Sequence, residues 1–112
     1  MKLTLPMPPS VNHLYANIPG RGRVISGNYQ RWKKAAKDQL WLQKWSRVEG
    51  PVRLTIALER TGQRYDCSNR VKAVEDFLVQ HGIISDDNHK IVQSVLVFVA
   101  DVKGCEVQVH PI

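Results

Sequence analysis

Acidic residues are scarce in this sequence, ten against 16 lysines and arginines, so their placement is informative. Most read as solvated surface charge, but Asp66, Asp86 and Asp87 stand apart. Asp66 lies between Arg64 and Arg70 where a strand pattern hands over to a helical one, and Asp86-Asp87 precede His89 and Lys90. Carboxylates set inside a basic surface are what metal-dependent phosphodiester hydrolysis needs: hard oxygen ligands hold Mg²⁺ while the surrounding cations hold a polyanion. Simple polyanion binding would gain nothing from them. Lys72, six residues after Asp66, puts a positive charge on the same helix, suited to stabilising a scissile phosphate or a leaving oxygen. Each group also has a plainer reading. Asp66 fits the N-cap of the second helix with Ser68 as a competing cap, Asp86-Asp87 fit an acidic turn, and Lys72 fits a solvated helix lysine.

The charge around these residues is lopsided. The 112 residues carry a formal +6, and eight of the 16 cations (Arg21, Arg23, Arg31, Lys33, Lys34, Lys37, Lys44 and Arg47) fall between positions 21 and 47, against Asp38 alone. That is the electrostatic footprint of a domain that meets a polyanion. On one continuous helix Lys33, Lys37 and Lys44 share a side, next to the apolar stripe, where they would line a groove against phosphates. With 43% apolar residues the chain has material for one core and is not a disordered basic tail. Its longest apolar stretch, around Val95 to Ala100, is far short of the roughly 18 residues of a membrane span. The opening residues lack a signal peptide's apolar core, so the expectation is a cytoplasmic protein with no membrane partner. Cys67 and Cys105 have neither CxxC nor Cys/His spacing and read as free thiols. His13, His81, His89 and His110 are scattered, and none is assigned a catalytic role.

The elements that must position these groups follow from periodicity. Leu3 and Leu5 alternate with polar neighbours and stop at Pro6, which predicts an edge strand. Residues 7 to 25 read as a long loop with a basic tip at Arg21 and Arg23. Tyr29, Trp32, Ala36 and Leu40 recur at helical spacing in a stretch without Gly or Pro, predicting a first helix from Asn28 to Arg47 capped by Ser26 or Asn28. Val52, Leu54, Ile56 and Leu58 alternate as a half-buried strand. Val71, Val74, Phe77 and Leu78 face a second helix inward, with Asn69, Lys72 and Asp76 on its polar side and Gly82 at its end. Ile91 to Ala100, apolar on both faces, predicts a central strand, and Val107 with Val109 a last strand after the Lys103-Gly104 turn. The expected fold is a single α+β domain over residues 1 to 112. It has a mixed sheet and two main helices in the order β-α-β-α-β-β, the strands around the second helix parallel and the final pair an antiparallel hairpin.

Three segments carry a resemblance. Leu5-Pro6-Met7-Pro8-Pro9-Ser10-Val11-Asn12, Arg64-Tyr65-Asp66-Cys67-Ser68-Asn69-Arg70-Val71-Lys72-Ala73 and Gly82-Ile83-Ile84-Ser85-Asp86-Asp87 resemble the RusA family of Holliday junction resolvases, in order and spacing over nearly the whole chain. The resemblance implies a homodimeric, Mg²⁺-dependent endonuclease, with Mn²⁺ as a substitute, that cuts four-way DNA junctions in recombination and repair and is often encoded by prophages. It places the catalytic aspartates on Asp66 and Asp87, with Asp86 beside the latter, the lysine on Lys72, and a supporting asparagine on Asn69. One position departs from the pattern. Where the best-known members read Asp-x-Asp-Asn, this chain reads Asp66-Cys67-Ser68-Asn69, which replaces a carboxylate by a neutral and weaker Mg²⁺ ligand. Asp76, Asp86 or Asn69 would then have to compensate, or a single metal ion suffice.

On this reading Arg21, Arg23, Lys33, Lys37, Lys44, Arg64 and Arg70 contact DNA, and junction selection rests on shape and phosphate positions. Trp41 and Trp45 lie on the helix side opposite Trp32, implying a second surface, best read as a dimer interface and otherwise as a platform for unpaired bases. A helix of about 20 Å separates Asp66 from Asp87. A shared site therefore requires either that the loop 82 to 90 fold back along that helix or that a partner subunit supply the second carboxylate. The competing functions are a junction-binding module that has lost catalysis, with Ser68 as its mark, and a small basic partner protein that binds through its tryptophans.

Overall fold

The computed structural model describes residues 1–112. In chain order it runs β1 (Lys2–Leu5), a 3-10 turn (Val11–His13), β2 (Tyr15–Ile18), β3 (Gly22–Ile25), α1 (Gly27–Trp41), β4 (Val52–Glu59), a second 3-10 turn (Cys67–Arg70), α2 (Val71–Gln80), β5 (Val92–Ala100) and β6 (Cys105–Pro111). Period-two alternation builds the main sheet, as expected for a half-buried strand. Val52, Leu54, Ile56 and Leu58 of β4, Leu3 and Leu5 of β1, and Cys105, Val107 and Val109 of β6 are all buried on one face. Against that face pack Tyr29, Trp32, Ala36 and Leu40 of α1 and Ala73, Val74, Phe77 and Leu78 of α2, so that 22 buried residues form one core. The α+β reading with a mixed sheet and two helices holds.

The strand order is β1-β6-β4-β5, with β4 and β5 parallel across α2, as the crossover pattern predicts. Two expectations about the last strands fail. β5 is an edge strand rather than a central one, and β6 pairs with β4 and β1 instead of forming a hairpin with β5. The reason lies at the end of β4. The turn after β5 steps across that end and is pinned there: Glu59 N donates to Gly104 O at 2.9 Å, Arg60 N donates to Ala100 O at 3.0 Å, and the Glu59 carboxylate accepts from Gly104 N. Gly104 has φ +71°, and a Cβ there would meet Leu5 O at 2.4 Å, so this crossing admits only glycine.

α1 is shorter than its periodicity suggests, ending at Trp41 rather than Arg47. Ser26 is the cap, its hydroxyl accepting from Tyr29 N at 3.1 Å. At the other end the Gln43 side chain closes the β1 edge. Its amide nitrogen donates to Thr4 O at 2.6 Å and its oxygen accepts from Thr4 N at 2.8 Å, which draws the chain out of the helix. Lys44, Trp45 and Arg47 therefore lie beyond α1, and the shared side of Lys33, Lys37 and Lys44 does not form. Trp45 packs partly buried against the core, while Trp41 stays 68% exposed. The expected long loop 7 to 25 also holds structure: β2 and β3 make a two-stranded hairpin with Arg21 at its turn. No helix is long and apolar enough to cross a membrane.

Candidate active site

Asp66 follows the C-terminal end of β4, at the mouth between the parallel strands where open α/β sheets place ligands. The Tyr65 hydroxyl donates to Glu59 O at 2.6 Å, tying the loop back to β4. Asp66 occupies the N-cap position of the second 3-10 turn, yet its side chain makes no capping hydrogen bond. Its one side-chain partner is the amide of Asn69, which donates to Oδ2 at 3.4 Å. The carboxylate is exposed, with most of its lone pairs uncommitted. Ser68 is exposed beside it. A cleft of about 550 Å³ opens here, lined by Arg60, Thr61, Gln63, Arg64, Tyr65, Asp66 and Val99. Arg64 thus sits where a phosphate approaching Asp66 would pass.

The second acidic segment reaches the same helix end by folding back. α2 stops at Gln80, Gly82 takes φ +70°, and Ile83 N donates to Leu78 O at 2.9 Å, which reverses the chain. Buried Ile83 and Ile84 anchor the returning loop in the core, and Val48 N donates to Ile83 O at 2.8 Å. Asp87 Oδ2 then lies 3.3 Å from Lys72 Nζ, in the first turn of α2, while Asp76 Oδ1 lies 3.0 Å from the same nitrogen. Of the two routes open from sequence, this is the fold-back within one chain.

The paired aspartates have different surroundings. Asp86 turns into its own loop, accepting from Asp87 N at 2.7 Å and from the Asn88 amide at 3.0 Å. The Asp87 backbone hydrogen bond, with the other loop donors, holds its carboxyl below the usual range. The Asp86 carboxylate is thus engaged by donors of its own loop, whereas Asp87 faces Lys72. The hydrogen bond that Lys72 donates to Asp76, with the one it donates to Asp87, raises its pKa, so the ammonium stays charged. Glu75, which the sequence did not single out, has its carboxyl pushed up by burial and then by the nearby Asp87 charge.

The N-terminal motif has a structural part. Two of its proline carbonyls accept side-chain donors: Trp32 Nε1 donates to Pro6 O at 3.0 Å, and Arg70 Nη1 donates to Pro8 O at 2.8 Å. Arg70 also lies 5.2 Å from the Tyr65 ring centroid, so part of its guanidinium is engaged within the protein. The 3-10 turn carrying Asn12 packs against α2 and the 3-10 turn after Asp66. Sequence reasoning missed Tyr65, although its place in the Arg64-Tyr65-Asp66 segment was a signal.

The other cations divide by element. Arg23 stacks 4.1 Å above Tyr15 on the hairpin, with Arg21 exposed at the turn. Lys33 lies 5.2 Å above the Tyr29 ring. Burial first, and then Lys37 and Lys33, lower the His81 pKa, so both lysines face the C-terminal end of α2. Burial first, and then the Asp76 charge, raise the Tyr29 pKa, which sets the start of α1 beside the Lys72 cluster. Lys44 stands apart on the segment after α1. No three His, Cys, Asp or Glu side chains gather closely enough to enclose a metal ion. Mg²⁺ does not need such a cage, since it keeps waters and takes one or two carboxylates plus substrate phosphates. The hard, uncommitted oxygens of Asp66, with Asp87 at the same end of α2, fit that kind of site.

The family model Endodeoxyribonuclease RusA matches residues 6–110. A comparison with curated proteins gives no match. The matched span holds the fold-back loop and the Asp66 to Lys72 segment, together with all of the N-terminal proline motif but Leu5, and the chain belongs to the RusA family of endodeoxyribonucleases.

Proposed function

We propose that this chain is a Mg²⁺-dependent endonuclease that resolves four-way DNA junctions, acting as a homodimer that makes two symmetrical nicks. The observation that carries the reading is the return of Asp87 onto Lys72 at the end of α2 that follows Asp66. Asp66 and Asp87, with Asn69 Oδ1 and Ser68 Oγ as neutral oxygens, are the residues that would hold Mg²⁺ or Mn²⁺. The ion, when bound, supplies Lewis-acid polarisation of the phosphate and a water of lowered pKa. Lys72 is held cationic between Asp76 and Asp87 and balances the charge that develops on the phosphate or the leaving oxygen. Asp76 positions that ammonium. Arg64 in the cleft, Lys33 and Lys37 on α1, and Arg21 and Arg23 on the hairpin hold backbone phosphates, and Lys44 adds to the field. A four-way junction has approximate two-fold symmetry, which a C₂ dimer matches with two equivalent sites.

A second reading, junction binding without cleavage, is favoured by Ser68 standing in place of a carboxylate. One assay separates the two: a synthetic four-way junction with and without Mg²⁺, for the wild type and for Asp66→Asn. Paired nicks that need Mg²⁺ and vanish in Asp66→Asn are the expected result. Tight, junction-selective binding without nicking would establish the binding module, and no preference over duplex would remove both.

A further inference from the structure

The Asp66 carboxylate is weakly fixed by its own contacts, a single hydrogen bond of 3.4 Å from the Asn69 amide. Its neighbours in the chain set its position instead. Before it, the Tyr65 hydroxyl donates to Glu59 O at 2.6 Å, at the end of β4. After it, Arg70 closes the 3-10 turn Cys67–Arg70 and reaches back. Its guanidinium carbon lies 5.2 Å from the Tyr65 ring centroid, and Nη1 donates to Pro8 O at 2.8 Å. The turn that starts at Asp66 is thus gripped at both ends by two side chains that meet each other.

The N-terminal prolines supply a fixed point for this grip. Trp32, buried in the core, donates Nε1 to Pro6 O at 3.0 Å. Ser10 caps the 3-10 turn Val11–His13, which packs against α2 and against the turn after Asp66. Pro8 lies between these anchors with its own φ locked by its ring, and Pro9 after it holds its ψ in the extended range. Its carbonyl therefore has little freedom to follow a moving partner. Stability alone does not account for Arg70, whose Nε is buried without a hydrogen-bond partner, since an unpaired buried donor is destabilising. An apolar side chain would pack beside Tyr65 without that cost, but it could not bond Pro8 O.

We propose that Arg70 is a positioning residue: by tying the rigid Pro8 carbonyl to Tyr65, it holds the turn that presents Asp66, Ser68 and Asn69. The inference deepens the nuclease reading and rests on it for the effect on cleavage, though not for the effect on the turn. It gives the proline motif a task in the chemistry, as the fixed end of a strap across the catalytic turn. It also moves Arg70 from the cations that hold phosphates to the groups that act behind the site. Removing a group of that kind typically changes metal affinity or activity by roughly 10- to 100-fold.

The test compares the full wild-type chain with two variants. Arg70→Met keeps the apolar stem, and Arg70→Lys keeps a charged donor for Pro8 O but not the flat face over Tyr65. One reading is the rate at which partly exposed Cys67, inside the turn, reacts with an aromatic disulfide reagent in metal-free protein. The other is single-turnover cleavage of a synthetic four-way junction at saturating protein across Mg²⁺ concentrations, set beside junction affinity and its salt dependence without divalent ions. Arg70→Met should label several-fold faster, cut roughly 10- to 100-fold more slowly at saturation and need more Mg²⁺ for half its maximal rate. Its melting temperature, junction affinity and salt dependence should match the wild type, and Arg70→Lys should fall between the two. A weaker junction affinity with a salt slope reduced by about one would make Arg70 a phosphate contact and overturn the proposal. Wild-type labelling and cleavage in Arg70→Met would overturn it as well. Should Arg70→Met fail to fold, Tyr65→Phe, which removes only the hydroxyl bonded to Glu59 O, decides by the same two readings. If the wild type leaves junctions uncut, the nuclease reading falls and the labelling rates still decide whether Arg70 holds the turn. If the wild type cuts and Arg70→Met equals it in both readings, the nuclease reading stands and the strap falls.

Discussion

Asp87 Oδ2 lies 3.3 Å from Lys72 Nζ across a separation of 15 residues that includes most of α2. The contact exists because Gly82 reverses the chain and Ile83 and Ile84 bury the returning loop. Its energetic value as an exposed ion pair is small, about 0–1 kcal/mol. Its importance is positional. Lys72→Met should therefore leave the urea midpoint nearly unchanged and junction binding within a few-fold, while cleavage falls by roughly 10²-fold, as for loss of one transition-state donor. Parallel binding and single-turnover measurements check this.

The two adjacent aspartates should separate cleanly in function. Asp87→Asn is expected to abolish cleavage and to weaken Mg²⁺ binding measured by calorimetry. Asp86→Ala removes acceptors for Asp87 N and the Asn88 amide, and should loosen the loop while retaining measurable cleavage. Equal losses in the two variants would show that Asp86 is a ligand after all.

The hydrogen bond that Lys72 donates to Asp76 sets its alkaline behaviour. It raises the folded pKa above the ordinary 10.5, so the stabilising charge is fully present below that value and is lost as pH climbs through the folded pKa. Asp76→Asn removes the largest cause of the shift and should move the alkaline fall of the cleavage rate to lower pH. An unchanged pH–rate profile would leave Asp76 without a positioning role.

The thiols should differ in reactivity. Burial pushes the Cys105 thiol up to about 12, with Glu106 adding to the shift, whereas Cys67 is partly exposed. An aromatic disulfide reagent at neutral pH should titrate one thiol per native chain quickly and the second only after denaturation.

Gly104 carries the crossing from β5 to β6. Gly104→Ala must accommodate a Cβ at 2.4 Å from Leu5 O with φ at +71°, and should destabilise the fold by about 1–3 kcal/mol. Urea denaturation measures it. Gly20→Ala, at φ +79° on the open hairpin with nothing near its Cβ, should cost less.

The sequence by itself determined what depends on neighbours a few residues away. Alternation in Val52 to Leu58 and helical spacing in Tyr29, Trp32, Ala36 and Leu40 named the buried faces correctly, because periods of 2 and 3.6 follow from backbone geometry alone. The same local logic singled out Asp66, the Asp86-Asp87 pair and Lys72 as candidates, and the family resemblance placed the catalytic roles on Asp66, Lys72 and Asp87. Tertiary structure alone decided how they relate. Whether the loop after α2 returns to Lys72 depends on where Ile83 and Ile84 find a core, and whether Asp86 or Asp87 faces the lysine depends on the turn that results. The end of α1 was equally hidden, since it is the distant Thr4 backbone that draws Gln43 out of helical register. The apolar run of β5 read the same for a central strand as for an edge. Only the pinning of the next turn to Glu59, which sends β6 to the far side of β4, left that edge open.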